Sequence, residues 1–230
     1  MFNTPPPSPE ILANRQRAIV IIAGIALAWL FYPILSLMVL PWITNEVLKL
    51  YISRLIIWLM LPAIYFYSTQ VEGRPFLPWA DKKQDAIFYI WAIPSLLILI
   101  FIAGAIAAVP YRVLGLKDDF RVVNHLHAVL SAHPVLGFVM AFTAGVTEEV
   151  AFRGYVMPRL ALLLKGKFWP VLISALLFAA LHLSYHNITE LLFTTLFGIV
   201  VGWFYLQFRN LGVLIVCHFI YDLMIIMFHK

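Results

Sequence analysis

Two adjacent glutamates, Glu148 and Glu149, lie with Arg153 in a run of otherwise apolar residues, "TAGVTEEVAFRG". Further along, His182 follows Phe178 by four positions, and Asp222 follows His218 by the same interval. Residues four apart share one face of a helix. Carboxylates and imidazoles bind and release protons near neutral pH and can also ligate metals, so each needs a partner or a task in apolar surroundings. At about 100° per residue, Arg153 lies about 40° from Glu149 but about 140° from Glu148. Arg153 is therefore the natural partner of Glu149, and a buried bidentate arginine–carboxylate pair would satisfy both groups. Glu148 is left on another face without a partner on its own helix. One glutamate reads as structural, the other as free to react.

The elements that must carry these groups are membrane helices. Of the 230 residues, 63% are apolar and 12% charged, and the mean hydropathy is +0.93, which places the chain among integral membrane proteins. About 20 apolar residues span a hydrocarbon core of ~30 Å as a helix. Seven stretches do so, near 18–40, 47–67, 86–109, 135–164, 168–183, 188–208 and 211–228. Long unbroken apolar runs exclude a barrel, whose strands would alternate polar and apolar residues. The expected fold class is an all-α, polytopic transmembrane helical bundle in a lipid bilayer. The dispersed basic residues give no footprint for nucleic acid. With the N-terminus inside, nine of them (Arg15, Arg17, Arg74, Lys82, Lys83, Arg159, Lys165, Lys167, Arg209) fall inside, against six outside (Lys49, Arg54, Arg112, Lys117, Arg121, Lys230). The single cysteine, Cys217, excludes an internal disulfide and reads as a packing residue.

Four segments organise the chain: a short Pro-rich start over 1–16, read as disordered and without a signal-peptide pattern, three N-terminal spans over 17–110, an interfacial amphipathic segment over 111–133, and four spans over 134–230. The stretch 68–85 mixes both charge signs with Gly and Pro and reads as an exposed loop. His125, His127 and His133 in the amphipathic segment read as solvated or interfacial rather than metal-binding. Ionisable residues at depth are confined to the second half by this reading, which locates the chemistry there. Taking the turn at 165–167 as one membrane surface, Glu148 and His182 lie about 24 and 21 Å deep at 1.5 Å per residue. They meet near the opposite face, where water and substrate would enter by Ser184 to Asn187, with His186 and Asn187 lining the mouth. His218 comes out shallower on this count.

At these residues the chain resembles the glutamic intramembrane proteases that include type II CAAX prenyl endopeptidases and bacteriocin-processing or self-immunity (Abi) proteins. The motifs "EEVAFR" at 148–153, "FAALH" at 178–182 and "HFIYD" at 218–222 match in order, each on its own span. The resemblance covers roughly residues 134 to 228. It implies hydrolysis of a peptide bond in a membrane-associated peptide or protein. By matching positions, Glu148 and His182 would activate water, and His218 and Asp222 would stabilise the oxyanion, with Phe178 supporting the site. Family members have also been described as metalloproteases, and zinc could take Glu148, His182, His218 and Asp222 as ligands. The H-E-x-x-H signature is absent, and the metal-free reading with no cofactor is preferred.

Three rivals remain. Helix-tying polar groups would explain Glu149 and Arg153 but not the other four. An ion-coupled transporter would use such groups as a relay, yet repeats and paired broken helices are not evident. A membrane peptide-binding or immunity protein would carry the same residues without cleaving. The chain's economy points to a prokaryotic member in the cytoplasmic membrane.

Overall fold

A computed structural model describes residues 9–113, 115 and 117–228. The start of the Pro-rich segment, residues 1–8, and Lys230 lie outside the described residues. The described residues contain helices and turns but no strand, as a bilayer requires of open chains that must satisfy their own backbone.

The helices are α1 (Pro9–Val39), α2 (Glu46–Phe66), α3 (Ala86–Ala107), α4 (Val109–Arg112), α5 (Arg121–Ala132), α6 (Pro134–Glu149), α7 (Met157–Leu163), α8 (Phe168–Ala180), α9 (Ile188–Phe208) and α10 (Leu211–Phe228). Seven segments are long and apolar enough to cross a membrane: 14–42, 46–71, 86–112, 134–163, 168–185, 188–208 and 211–228. The seven expected spans are therefore all present, and the chain is an integral multi-pass membrane protein. Four of them start on a side-chain cap, the oxygen of Asn45, Asp85, Asn187 or Asn210 accepting the N–H of Leu48, Phe88, Glu190 or Val213. Such caps satisfy donors that a helix start leaves open.

Two close approaches set the bundle. A Cβ on Gly145 would come within 3.0 Å of the Ile215 carbonyl and the Phe219 nitrogen, so α6 and α10 are pressed backbone to backbone. A Cβ on Gly198 would come 2.7 Å from the Ala175 Cβ, which fixes α8 against α9 in the same way. The N-terminal helices are built into this frame. Trp29 on α1 donates to the Leu177 carbonyl on α8 (2.8 Å), Trp58 on α2 donates to Thr143 on α6 (3.1 Å), and α3 packs on α9 and α10.

The fourth span is not one continuous α-helix. Residues Val150–Val156 form a π-helix between α6 and α7, whose i→i+5 bonding packs more residues into each turn and so shortens the rise. Glu148 consequently sits closer to the turn at 165–167 than an α-helical count gives. That shortening helps bring it level with His218.

The 68–85 stretch is largely the exposed loop expected, but its start is not. Residues Tyr67–Val71 continue α2 as a π-helix and Ser68 is buried. The Glu72 carboxylate is fully buried and paired with Arg159 at 2.9 Å. Arg159 also donates to Ser68 Oγ and to the carbonyls of Phe76 and Pro75, and the Tyr155 hydroxyl donates to Glu72 at 2.7 Å. A buried carboxylate thus occurs in the first half too, contrary to the expected asymmetry. It is held by a fully bonded arginine and serves to tie the loop to the fourth span.

The amphipathic segment forms α5 and lies across one end of the bundle. Asp118, just before it, accepts the N–H groups of Ile188 and Thr189 at the start of α9 (both 2.8 Å), and Asn187 donates to the Asp119 carbonyl. Burial works against the Asp118 charge, but the hydrogen bonds from Thr189, Ile188 and Asp119 outweigh it and hold its carboxyl below the usual carboxylate range. This tether is complete at neutral pH and weakens as the pH falls through that lowered value. His125 pairs with Glu46 at the start of α2 (2.6 Å) rather than standing merely solvated, and His127 faces a cavity under α5.

The order of spans puts Lys167 and Ser184 at opposite ends of α8. Single cysteines at these positions, in a Cys217→Ala background, are expected to react with an impermeant maleimide from opposite sides of the membrane. Labelling from one side would overturn the span order.

Candidate active site

Glu148 and Glu149 end α6, Phe178 lies in the last turn of α8 with His182 in the turn just beyond it, and His218 and Asp222 lie one turn apart on α10. Packing of α10 on α6 brings the first and third sets together. Glu149 pairs with Arg153 as the spacing predicts, Nη1 to Oε1 at 2.8 Å, both side chains at most 1% exposed. The pair is not bidentate. The same Oε1 also accepts from His218 Nδ1 at 2.9 Å, while Glu149 Oε2 and Arg153 Nη2 lack a hydrogen-bond partner among the described residues. The Arg153 guanidinium instead stacks over Phe178 (4.8 Å) and Phe197 (5.5 Å). Glu149 therefore does two things: it neutralises Arg153 and it orients His218.

That bond determines which imidazole nitrogen is available. A carboxylate paired to an arginine accepts, so His218 Nδ1 carries hydrogen and Nε2 faces the other way. His218 Nε2 lies 3.9 Å from Glu148 Oε2 and 3.5 Å from Asp222 Oδ2. His182 is set by the same logic from its own helix. Its Nδ1 is 3.2 Å from the Phe178 carbonyl, which only accepts, so its Nε2 is left for another partner. Phe178 is 2% exposed and its ring lies 5.0 Å from that of His182.

Glu148, His182, His218 and Asp222 all line one cavity of about 330 Å³ that α5 covers. Phe178 lines it as well. Of the mouth residues expected from sequence, Asn187 lines the cavity, but as the buried cap of α9. His186 is not among the lining residues; it is exposed and takes a left-handed backbone at φ 54°. Tyr185, within the expected mouth stretch, faces the cavity, as does Glu190, which sequence reasoning passed over. Glu190 sits in the first turn of α9, where an acid is the ordinary complement to a helix start, so its type gave no signal.

Residues 130–224 match the sequence model of the Rce1-like type II CAAX prenyl endopeptidases. The match begins in α5, ends in α10 and contains all three motifs. This region belongs to the Rce1-like CAAX endopeptidase family. No curated protein and no solved structure matches the chain. The match covers about two fifths of the chain and indicates a membrane protease. Helices α1 to α3 fall outside the Rce1-like match, although α3 contributes Gly104 to the cavity wall.

Zinc was a second option for an Rce1-like site. Among the described residues no three His, Cys, Asp or Glu side chains converge with the spacing of metal ligands. His218 Nε2 lies 3.9 Å from a Glu148 oxygen and 3.5 Å from an Asp222 oxygen, separations that a water, a substrate oxygen or a metal ion could bridge.

Proposed function

We propose that the protein hydrolyses a peptide bond of a membrane-associated peptide or protein by metal-free glutamate chemistry. The observation that supports this most is the convergence on one cavity of an unbonded carboxylate, Glu148, and two imidazoles whose Nδ1 atoms are already engaged. Glu148 takes a proton from water as its oxygen attacks the carbonyl carbon, then passes that proton to the leaving amine. His182, held at Nδ1 by its own helix, accepts a hydrogen bond from the water through Nε2. His218 acts as the imidazolium, its charge favoured by Glu149 at Nδ1 and by Asp222 and Glu148 near Nε2, and donates its Nε2–H to the developing oxyanion. Asp222 keeps that nitrogen in line from one helical turn away. The bilayer confines the substrate, and α5 limits the water that reaches the cavity.

Chelation distinguishes this chemistry from zinc hydrolysis. Purified protein in liposomes, cleaving a membrane-anchored peptide, is expected to keep its rate after exhaustive treatment with a membrane-permeant chelator. Asp222→Asn is expected to keep a substantial part of it, since an amide can still bond to His218 or to an oxyanion. Loss of activity on chelation with recovery on adding zinc, together with an inactive Asp222→Asn, would establish the metal reading instead.

A further inference from the structure

The end of the bundle opposite α5 carries a second cavity, of about 680 Å³, that neither the matched region nor the chemistry above uses. It is a groove between the start of α1 and the turn after α2, lined by Gln16, Arg17, Val20, Val71, Glu72 and Arg74 among others. Bonds between the elements fix its walls. The Tyr67 hydroxyl donates to the Val20 carbonyl of α1 at 2.8 Å. The Arg74 N–H donates to the Ser68 carbonyl and the Ser68 hydroxyl donates to the Arg74 carbonyl, both at 3.0 Å. Gly73 makes the turn between them at φ 62°, a conformation that favours glycine. Deeper along α1, a Cβ on Gly24 would come 2.6 Å from the Glu72 carboxylate, so this helix passes directly over that buried acid.

Arg17 and Arg74 are exposed, and among the described residues neither lies within ion-pair distance of a carboxylate. Glu72 is the single carboxylate in the described lining, and both its oxygens are taken, Oε1 by Tyr155 and Oε2 by Arg159. Two guanidiniums therefore face a groove whose only acid is already neutralised. Each presents a planar fork of N–H donors that matches phosphate oxygens. The surface below them is apolar. Arg17 directly precedes the apolar run of α1, where Ile19 and Ile22 are exposed, and Val71 is exposed in the groove itself. Side chains of that kind on a spanning helix face lipid hydrocarbon.

An occupant must offer negative oxygens at the membrane surface and apolar length beneath them. We propose that this groove binds one anionic phospholipid, its phosphodiester on Arg17 and Arg74 and its acyl chains along the exposed apolar side chains of α1. A zwitterionic headgroup fits less well, because it brings a cation of its own and the lining has no uncommitted carboxylate to meet it. A free phosphate would use the guanidiniums but not the apolar flank. The ordinary reading is that basic residues at this end only sense the surface potential of the membrane. Lys165 and Lys167 are exposed at the same end, because successive spans alternate in direction. Under that reading they would count equally with Arg17 and Arg74.

The test places the full-length protein in liposomes of phosphatidylcholine with phosphatidylglycerol as the minor lipid. The protein is re-extracted in mild detergent, and the lipid that stays with it is quantified by mass spectrometry. Phosphatidylglycerol is expected to be enriched about tenfold over its bulk ratio, on the scale of two basic contacts at a membrane surface. Arg17→Gln with Arg74→Gln is expected to bring the retained lipid close to the bulk ratio. Lys165→Gln with Lys167→Gln removes the same charge from the same end and is expected to leave the enrichment unchanged. Inorganic phosphate added during extraction is expected not to displace the lipid. Should the double arginine variant not fold, each single variant carries the test, with an enrichment between those of the parent and the bulk. No enrichment in the parent, enrichment that survives loss of the arginines, equal loss in the lysine variant, or displacement by inorganic phosphate would each overturn the proposal.

Discussion

Glu148→Gln is expected to lower turnover by roughly 100- to 10,000-fold, the usual contribution of a positioned general base, while leaving a folded protein. Both halves follow from its surroundings. The Glu148 carboxylate has no hydrogen bond to another described residue, and His218 Nε2 is 3.9 Å away. Replacing one oxygen by an amide nitrogen therefore breaks no bond. It removes the group that can take a proton from water. Peptide cleavage in liposomes together with thermal unfolding in detergent checks the two halves on one preparation. Turnover within tenfold of the parent would show that Glu148 is not the base. A variant that is inactive because it unfolds would show that Glu148, not Glu149, is the structural glutamate.

The opposite pattern is expected one residue on. Glu149→Gln and Arg153→Ala should each cost ~3–5 kcal/mol, because removing one partner leaves the other charge buried and unpaired. For a chain of this size that corresponds to a fall in Tm of roughly 10 °C. Arg153 has little to fall back on: one hydrogen bond to Glu149 and two aromatic faces, with Nη2 already unbonded among the described residues. Glu149→Gln has a second effect, since His218 loses the charged acceptor of its Nδ1–H. Its turnover is therefore expected to fall even below the unfolding temperature. The double variant Glu149→Gln with Arg153→Met removes both charges and should recover part of the stability but not the turnover. Equal stability of parent and single variants would mean that this pair does not hold the fourth span.

Much of the architecture is legible in the residues alone. Apolar runs of about twenty residues specify spanning helices because a bilayer offers the backbone no other partner. The pairing of Glu149 with Arg153, and the one-turn relations of Phe178 to His182 and of His218 to Asp222, follow from helical periodicity, which is a local property. Depth was less accessible. A count at 1.5 Å per residue assumes an unbroken α-helix, and nothing in "VAFRGYV" marks the π-helical winding that shortens the fourth span. Beyond the similar depth of Glu148 and His182, relations between helices were not accessible. That Glu149 also holds His218 and that a carboxylate from the 68–85 stretch meets Arg159 depend on which helix faces press together. Those contacts are made by residues far apart in the chain, brought close by glycines such as Gly145 and Gly198 that let backbones touch. Sequence by itself determined the spanning helices and which groups share a helical face, because both are governed by neighbours a few residues away. The tertiary structure alone decided which imidazole nitrogens face the cavity, because each is set by the partner that packing supplies to the other nitrogen.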